Sequence, residues 1–230
     1  MKHVDKMIGF TAENILALRR GDKTHTRRVM KVQPLGDVKS ATLWKDGLWR
    51  IEHAPIKAHD LPAGNYVGIR VRCPYGAPGD ILGVKEGYRI IHDIPRSRVV
   101  TGEYLADDAE FEVELSLAEW DRWSARKFPY RATPGRFMYK SLCRDRLLVK
   151  GIRIERVQDI TEDGAIAEGV RSERCFLYGE YDLTPTLRET KLSLSIWRFR
   201  HLWDSINAKR GYGWDVNPWV WVVEFERIET

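Results

Sequence analysis

Cysteine is scarce in this chain: there are three in 230 residues, Cys73, Cys143 and Cys175. Their odd number, their wide spacing and the lack of any C-x-x-C pair exclude a disulfide framework or a zinc finger and predict reduced, partly buried thiols. Long apolar runs are missing as well. No stretch approaches the roughly 18 consecutive apolar residues of a membrane-spanning helix. Residues 1–10 contain His3, Asp5 and Lys6 and no apolar h-region. Neither export nor a membrane partner is therefore expected, and the chain reads as cytoplasmic. Internal repeats and low-complexity stretches are absent, which argues against a repeat array or a disordered linker. There is no P-loop, no G-x-S-x-G and no G-x-G-x-x-G, so the common phosphate cradle, nucleophile elbow and dinucleotide fingerprint are excluded. His92 and His201 stand alone without metal-ligand spacing, and neither a metal site nor a cofactor is expected.

What is present suits a globular protein: 43% of residues are hydrophobic and 31% charged. A chain of this length buries roughly 70–75% of its unfolded surface, enough to fold without a staple. Nine residues are tryptophan, four of them between Trp203 and Trp221, so the C-terminal segment is expected to carry part of the core. The formal net charge of +5 admits a nucleic-acid partner without requiring one. Its distribution says more. Arg19, Arg20, Arg27 and Arg28 cluster early, and Arg144, Arg146, Lys150, Arg153 and Arg156 recur later.

Residues 6–10 read as a strand, followed by a helix opened by Thr11 and closed by Gly21. Strands are predicted at 24–32, 48–52, 66–71, 81–89, 98–104, 147–157 and 219–225, with a short helix at 117–123. Pro78-Gly79-Asp80 marks a turn. Thr161 caps a second helix, with Glu162 and Asp163 in its first turn and Gly169 at its end. The strongest helix spans 192–207, where Leu192, Ile196, Phe199, Trp203 and Ile206 form one apolar face. Short strands with two or three helices predict a small mixed α+β barrel in one domain, 1–230. The irregular regions 33–75 and 92–135 read as insertions.

Three segments are candidates for chemistry. Gly21-Asp22-Lys23-Thr24-His25-Thr26-Arg27-Arg28 lies between a helix end and a strand start, where side chains converge on a pocket or form a basic surface turn. Pro78-Gly79-Asp80-Ile81-Leu82 is a turn into a strand. Asp159-Ile160-Thr161-Glu162-Asp163-Gly164-Ala165-Ile166-Ala167-Glu168-Gly169 is a strand end, a capped helix and a stop. In this order the three resemble the ASCH family, whose signature is G-x-K-x-x-E-x-R, a P-G-D-x-[LIV] strand and a capped helix ending in Glu-Gly. Thr26 stands where the commoner signature has Glu. That form is similar to the small amidohydrolase members that deacetylate acetylcytidine. The resemblance covers about 1–32, 76–91 and 136–230, the last part resembling a longer, phage- or prophage-type branch.

The resemblance implies a PUA-like β-barrel with flanking helices. It also implies a site formed by Lys23, Thr26 and Glu168, and a substrate that is a modified nucleoside or nucleobase. Amide hydrolysis needs a nucleophile, an acceptor for its proton and an acid for the departing amine. Thr26 fits the first role, Lys23 the second and Glu168 the third; a Lys23 that stays charged would instead stabilise the oxyanion. Arg28 is a candidate contact for a phosphate or carboxylate, and Arg144 and Arg146 for nucleic acid along one strand face. Tyr139, Tyr212 and Trp214 are candidates for stacking bases. Two other functions stay open: a non-catalytic RNA- or DNA-binding module that reads a base in the same cleft, and a ribonuclease. The partner is accordingly a modified nucleoside or RNA or another single-stranded nucleic acid.

Overall fold

Thr11 and Gly21 bracket the first helix as their chemistry requires. The Thr11 hydroxyl accepts from the Asn14 amide, and Gly21 takes φ = 81°, a left-handed turn that costs glycine no Cβ clash. In the computed structural model, residues 6–34, 36–53, 68–127, 129–170 and 193–228 are described. The chain divides into two compact units. One comprises Met1–Gly21, Asp80–Leu148 and Glu226–Thr230, the other Asp22–Gly79 and Val149–Phe225.

In the first unit, β1 (Lys6–Gly9) runs parallel to β6 (Ile81–Lys85), and β6 pairs antiparallel with the start of β10 (Arg146–Arg156). A separate antiparallel sheet joins β7 (Tyr88–Ile94), β8 (Val99–Tyr104) and β9 (Glu110–Glu114). Helices α1 (Ala12–Arg19) and α2 (Leu117–Ser124) complete the unit. Tyr88, Ile90, Val100, Tyr104, Leu115, Trp123, Met138, Tyr139 and Leu142 form its main core.

In the second unit, β2 (His25–Val29) pairs antiparallel with β11 (Trp219–Ile228), which lies next to β10. Strands β3 (Val38–Leu43), β4 (Trp49–His53) and β5 (Gly68–Val71) make an antiparallel sheet. Among the described residues its α-helices are α3 (Glu162–Ala167) and α4 (Leu194–Asn207). Strand alternation divides the core in two. Val220 and Val222 of β11 pack with Val157, Ala165, Phe199 and Trp203, whereas Trp219 and Trp221 pack with Met30, Trp49, Ile51 and Cys73. The expected burial of the C-terminal tryptophans is met: Trp203, Trp214, Trp219 and Trp221 are all core residues.

The architecture is α+β, and among the described residues the strands form open sheets with no closed barrel. No helix among them is long and apolar enough to cross a membrane. Several expectations need correction. The strand expected at 81–89 is two strands, broken at Glu86-Gly87, where Glu86 turns its carboxylate inward to Arg144. Strands β3 and β9 have no counterpart among the expected strands; β9 reads Glu-Phe-Glu-Val-Glu, a strand with one charged face. On α4 the buried residues are Ser195, Phe199, Trp203 and Asn207, and Ile206 is exposed. The Asn207 amide is accommodated by donating to the Trp203 carbonyl. Tyr139 and Trp214, candidates for base stacking, are buried in the two cores. Cys73 and Cys143 form no disulfide, and Cys175 lies outside the described residues.

Candidate active site

Lys23 precedes β2, and its backbone meets the end of α3 in an isolated antiparallel bridge with Glu168. The Thr24 amide donates to the Ala167 carbonyl at 2.8 Å beside it. Glu168 is the C-cap of α3, and Gly169 follows at φ = 87°, so the chain turns away immediately after the carboxylate. The Lys23 side chain folds back along this junction. Its Nζ donates to the Glu168 carbonyl at 2.8 Å and to Glu168 Oε2 at 2.9 Å.

The first bond is an ordinary helix-end cap, because the last carbonyls of a helix lack an intrahelical donor. The second bond and the burial add chemistry. Lys23 is 2% exposed and Glu168 4%. Burial pushes the Lys23 ammonium below the usual lysine range; Glu168 opposes the shift, and the charges of Arg28 and Arg27 add to it. Two hydrogen bonds are also as many as a neutral amine can donate.

Arg27 holds the other oxygen of the same carboxylate. Its Nη1 donates to Glu168 Oε1 and to the Gly164 carbonyl, both at 3.3 Å, and its Nε donates to Glu155 Oε1 at 2.7 Å. From Glu155 the ion pairs continue outward. Arg153 Nε donates to Glu155 Oε2 at 3.1 Å, Arg153 pairs with Glu224, and Glu224 lies 3.5 Å from His25 Nε2. Burial depresses the basicity of His25, with Glu224 opposing and Arg153 and Arg27 assisting. A continuous series of charges thus links buried Lys23 to half-buried His25.

Strand alternation separates the remaining motif residues. His25 and Arg27 lie on one face of β2, Thr26 and Arg28 on the other, in register with Val223 and Trp221 respectively. Thr26 is buried. Burial lowers the basicity of Arg28, opposed by Tyr75 and Glu168 and assisted by Arg210. The structure therefore brings Lys23 and Glu168 into contact and sets Thr26 and Arg28 on the face of β2 opposite Arg27, with Arg28 still within electrostatic reach of Lys23 and Glu168.

Arg144 and Arg146 belong to the first unit. Arg144 precedes β10 and grips Glu86 with two hydrogen bonds, at 2.7 and 2.8 Å. It also donates to Asp107 at 2.8 Å and lies over the Tyr104 ring at 3.6 Å. These contacts occupy the guanidinium that was a candidate for phosphate. Arg146 sits opposite Gly83 in the ladder, and its buried Nε has no hydrogen-bond partner among the described residues.

Sequence reasoning gives no site role to Arg27, Glu155 or Gly164. The signal for Glu155 is its i, i+2 relation to Arg153, which puts two opposite charges on one strand face. Among the described residues no three His, Cys, Asp or Glu side chains gather as a metal ion requires. No family model, curated protein or solved structure matches the chain.

Proposed function

We propose that this chain is an ASCH-type protein with a PUA-like core that hydrolyses the amide of an acylated nucleoside, acetylcytidine being the model substrate. One observation carries this reading: Lys23 and Glu168, 145 residues apart, share a 2.9 Å hydrogen bond inside the fold. These are two of the three residues that the motif resemblance assigns to the site. Desolvation of Lys23 supplies the second requirement, an amine whose pKa moves toward working pH.

In the proposed reaction, the Lys23 amine takes the proton of the attacking oxygen as the C–O bond forms. Glu168, hydrogen-bonded to Lys23, relays a proton to the amine nitrogen as the C–N bond breaks. Products are the carboxylic acid and the deacylated nucleoside. Water as the attacking group gives the acid directly; attack by the Thr26 hydroxyl leaves an acyl ester on Thr26, which a water that gives its proton to Lys23 then cleaves to release the acid and restore the hydroxyl. Thr26→Val distinguishes the two: loss of turnover with retention in Thr26→Ser supports the hydroxyl. Arg28, on the Thr26 side of β2, is the candidate for contacting the substrate.

The test is incubation with acylated nucleosides and, separately, with acylated RNA, followed by mass spectrometry of both pools. Loss of the acyl group is expected, and Lys23→Ala or Glu168→Gln should slow it by roughly 10²–10⁴-fold. Binding of acetylcytidine without cleavage would overturn the hydrolase and favour a base-reading module. Shortened RNA would favour a ribonuclease.

A further inference from the structure

We infer that Arg27, braced by Glu155 and admitted by the missing side chain of Gly164, is a positioning residue that fixes the Glu168 carboxylate against Lys23. This rests on Lys23 and Glu168 being the reacting pair.

Three independent observations carry it. First, the Arg27 side chain is almost wholly buried, at 1% exposure, and lies 5.8 Å from the centre of the Phe199 ring. It therefore has little freedom to be a solvated charge. Second, its two edges have different tasks. Nε is anchored at 2.7 Å on Glu155, and Nη1 is shared between the Gly164 carbonyl and Glu168 Oε1. One oxygen of Glu168 thus faces Arg27 while the other faces Lys23, which fixes the carboxylate's rotation. Third, the helix has made room. A Cβ on Gly164 would stand 3.0 Å from Arg27 Nη2, 3.2 Å from Thr161 Oγ1 and 3.3 Å from Ile160 Cγ1. Glycine is a poor helix former, and no positive φ requires one here. Its use in the first turns of α3 is explained by clearance for the guanidinium.

The experiment compares Arg27→Met, Arg27→Lys, Glu155→Gln and Gly164→Ala with the wild type. It measures kcat and KM on acetylcytidine and the titration of Lys23 by NMR of 13C-lysine-labelled protein, assigned with Lys23→Met. Arg27→Met should lower kcat by roughly 10–100-fold, the scale of an ångström-sized misplacement. KM should change little, and the Lys23 midpoint should move upward because a neighbouring cation is gone. Arg27→Lys should recover part of both effects. Gly164→Ala is the discriminating variant: it favours the helix and alters no charge, yet should lower kcat and shift the Lys23 midpoint in the same direction. If Arg27→Met and Gly164→Ala leave both kcat and the Lys23 midpoint unchanged, the positioning role is overturned. If the wild type cleaves no acylated nucleoside, the hydrolase reading falls alone, because the Lys23 midpoint still decides the geometry. Should Arg27→Met fail to fold, Gly164→Ala and Arg27→Lys decide the role by the same two measurements.

Discussion

Each unit of this protein buries a network of charges, and the two networks differ in one respect that matters for chemistry. In the first unit Arg19, Arg144 and Arg227 meet Glu86, Asp107 and Asp145, with Glu86 and Asp145 each 1% exposed. Among the described residues the cations of this network are all arginines. Burial works against the charge of Arg144, but its hydrogen bonds to Glu86 and Asp107 raise its pKa above the ordinary arginine value. A guanidinium does not give up its proton at any working pH, so this network holds shape and exchanges nothing. In the second unit one cation is Lys23, and burial there makes the amine easier to deprotonate. Both networks bury charge; what sets Lys23 apart is that burial favours its neutral form.

The first network depends most on Glu86. Glu86→Ala leaves Arg144 without its bidentate partner and should cost about 3–5 kcal/mol of stability, measured by denaturant unfolding. The kcat of the molecules that remain folded should be unchanged. A fall in kcat comparable to that of Glu168→Gln would show that the first network also takes part in turnover.

Lys23 should tie stability to pH. The folded-state pKa of Lys23 lies below its unfolded value of about 10.5, so the unfolded chain binds more protons between the two. Stability contributed at this position is therefore lowest below the folded pKa and rises with pH until about 10.5. The difference in unfolding free energy, wild type minus Lys23→Met, should increase across that window. A flat or falling difference would mean that Glu168 outweighs burial and the ammonium is retained. The smallest expected effect is at Arg89, whose pair with Glu103 at 2.9 Å is largely exposed. Arg89→Ala should change stability by about 0–1 kcal/mol, measured as a shift in the unfolding midpoint.

Local punctuation made much of the fold legible. Thr11, Gly21, Thr161 and Gly169 act on their nearest neighbours, and the structure places each where its chemistry predicts. Long-range burial was less legible. The apolar face expected on α4 included Ile206, whereas Asn207 is buried through a hydrogen bond to its own helix. Lys23 and Glu168 stand out through their motifs, and their contact is a tertiary fact. Arg27 was hidden inside the same motif because alternation gives adjacent residues opposite faces, and spacing does not say which face is the site.

The pairing of β2 with β11 sets Thr26 beside Val223, about 200 residues later in the chain. During synthesis at roughly 5–20 residues per second, β2 is therefore exposed for on the order of ten seconds or more before its partner exists. Trp219 and Trp221, which pack with Met30 and Trp49, arrive in that same late strand. Val220 and Val222, which pack with Ala165 of α3, come with the same strand, so the Lys23 and Glu168 environment lacks part of its packing until that strand has been made. A ribosome stalled just short of residue 219 would carry a chain with α1 and β6 already made and the candidate site still open to water.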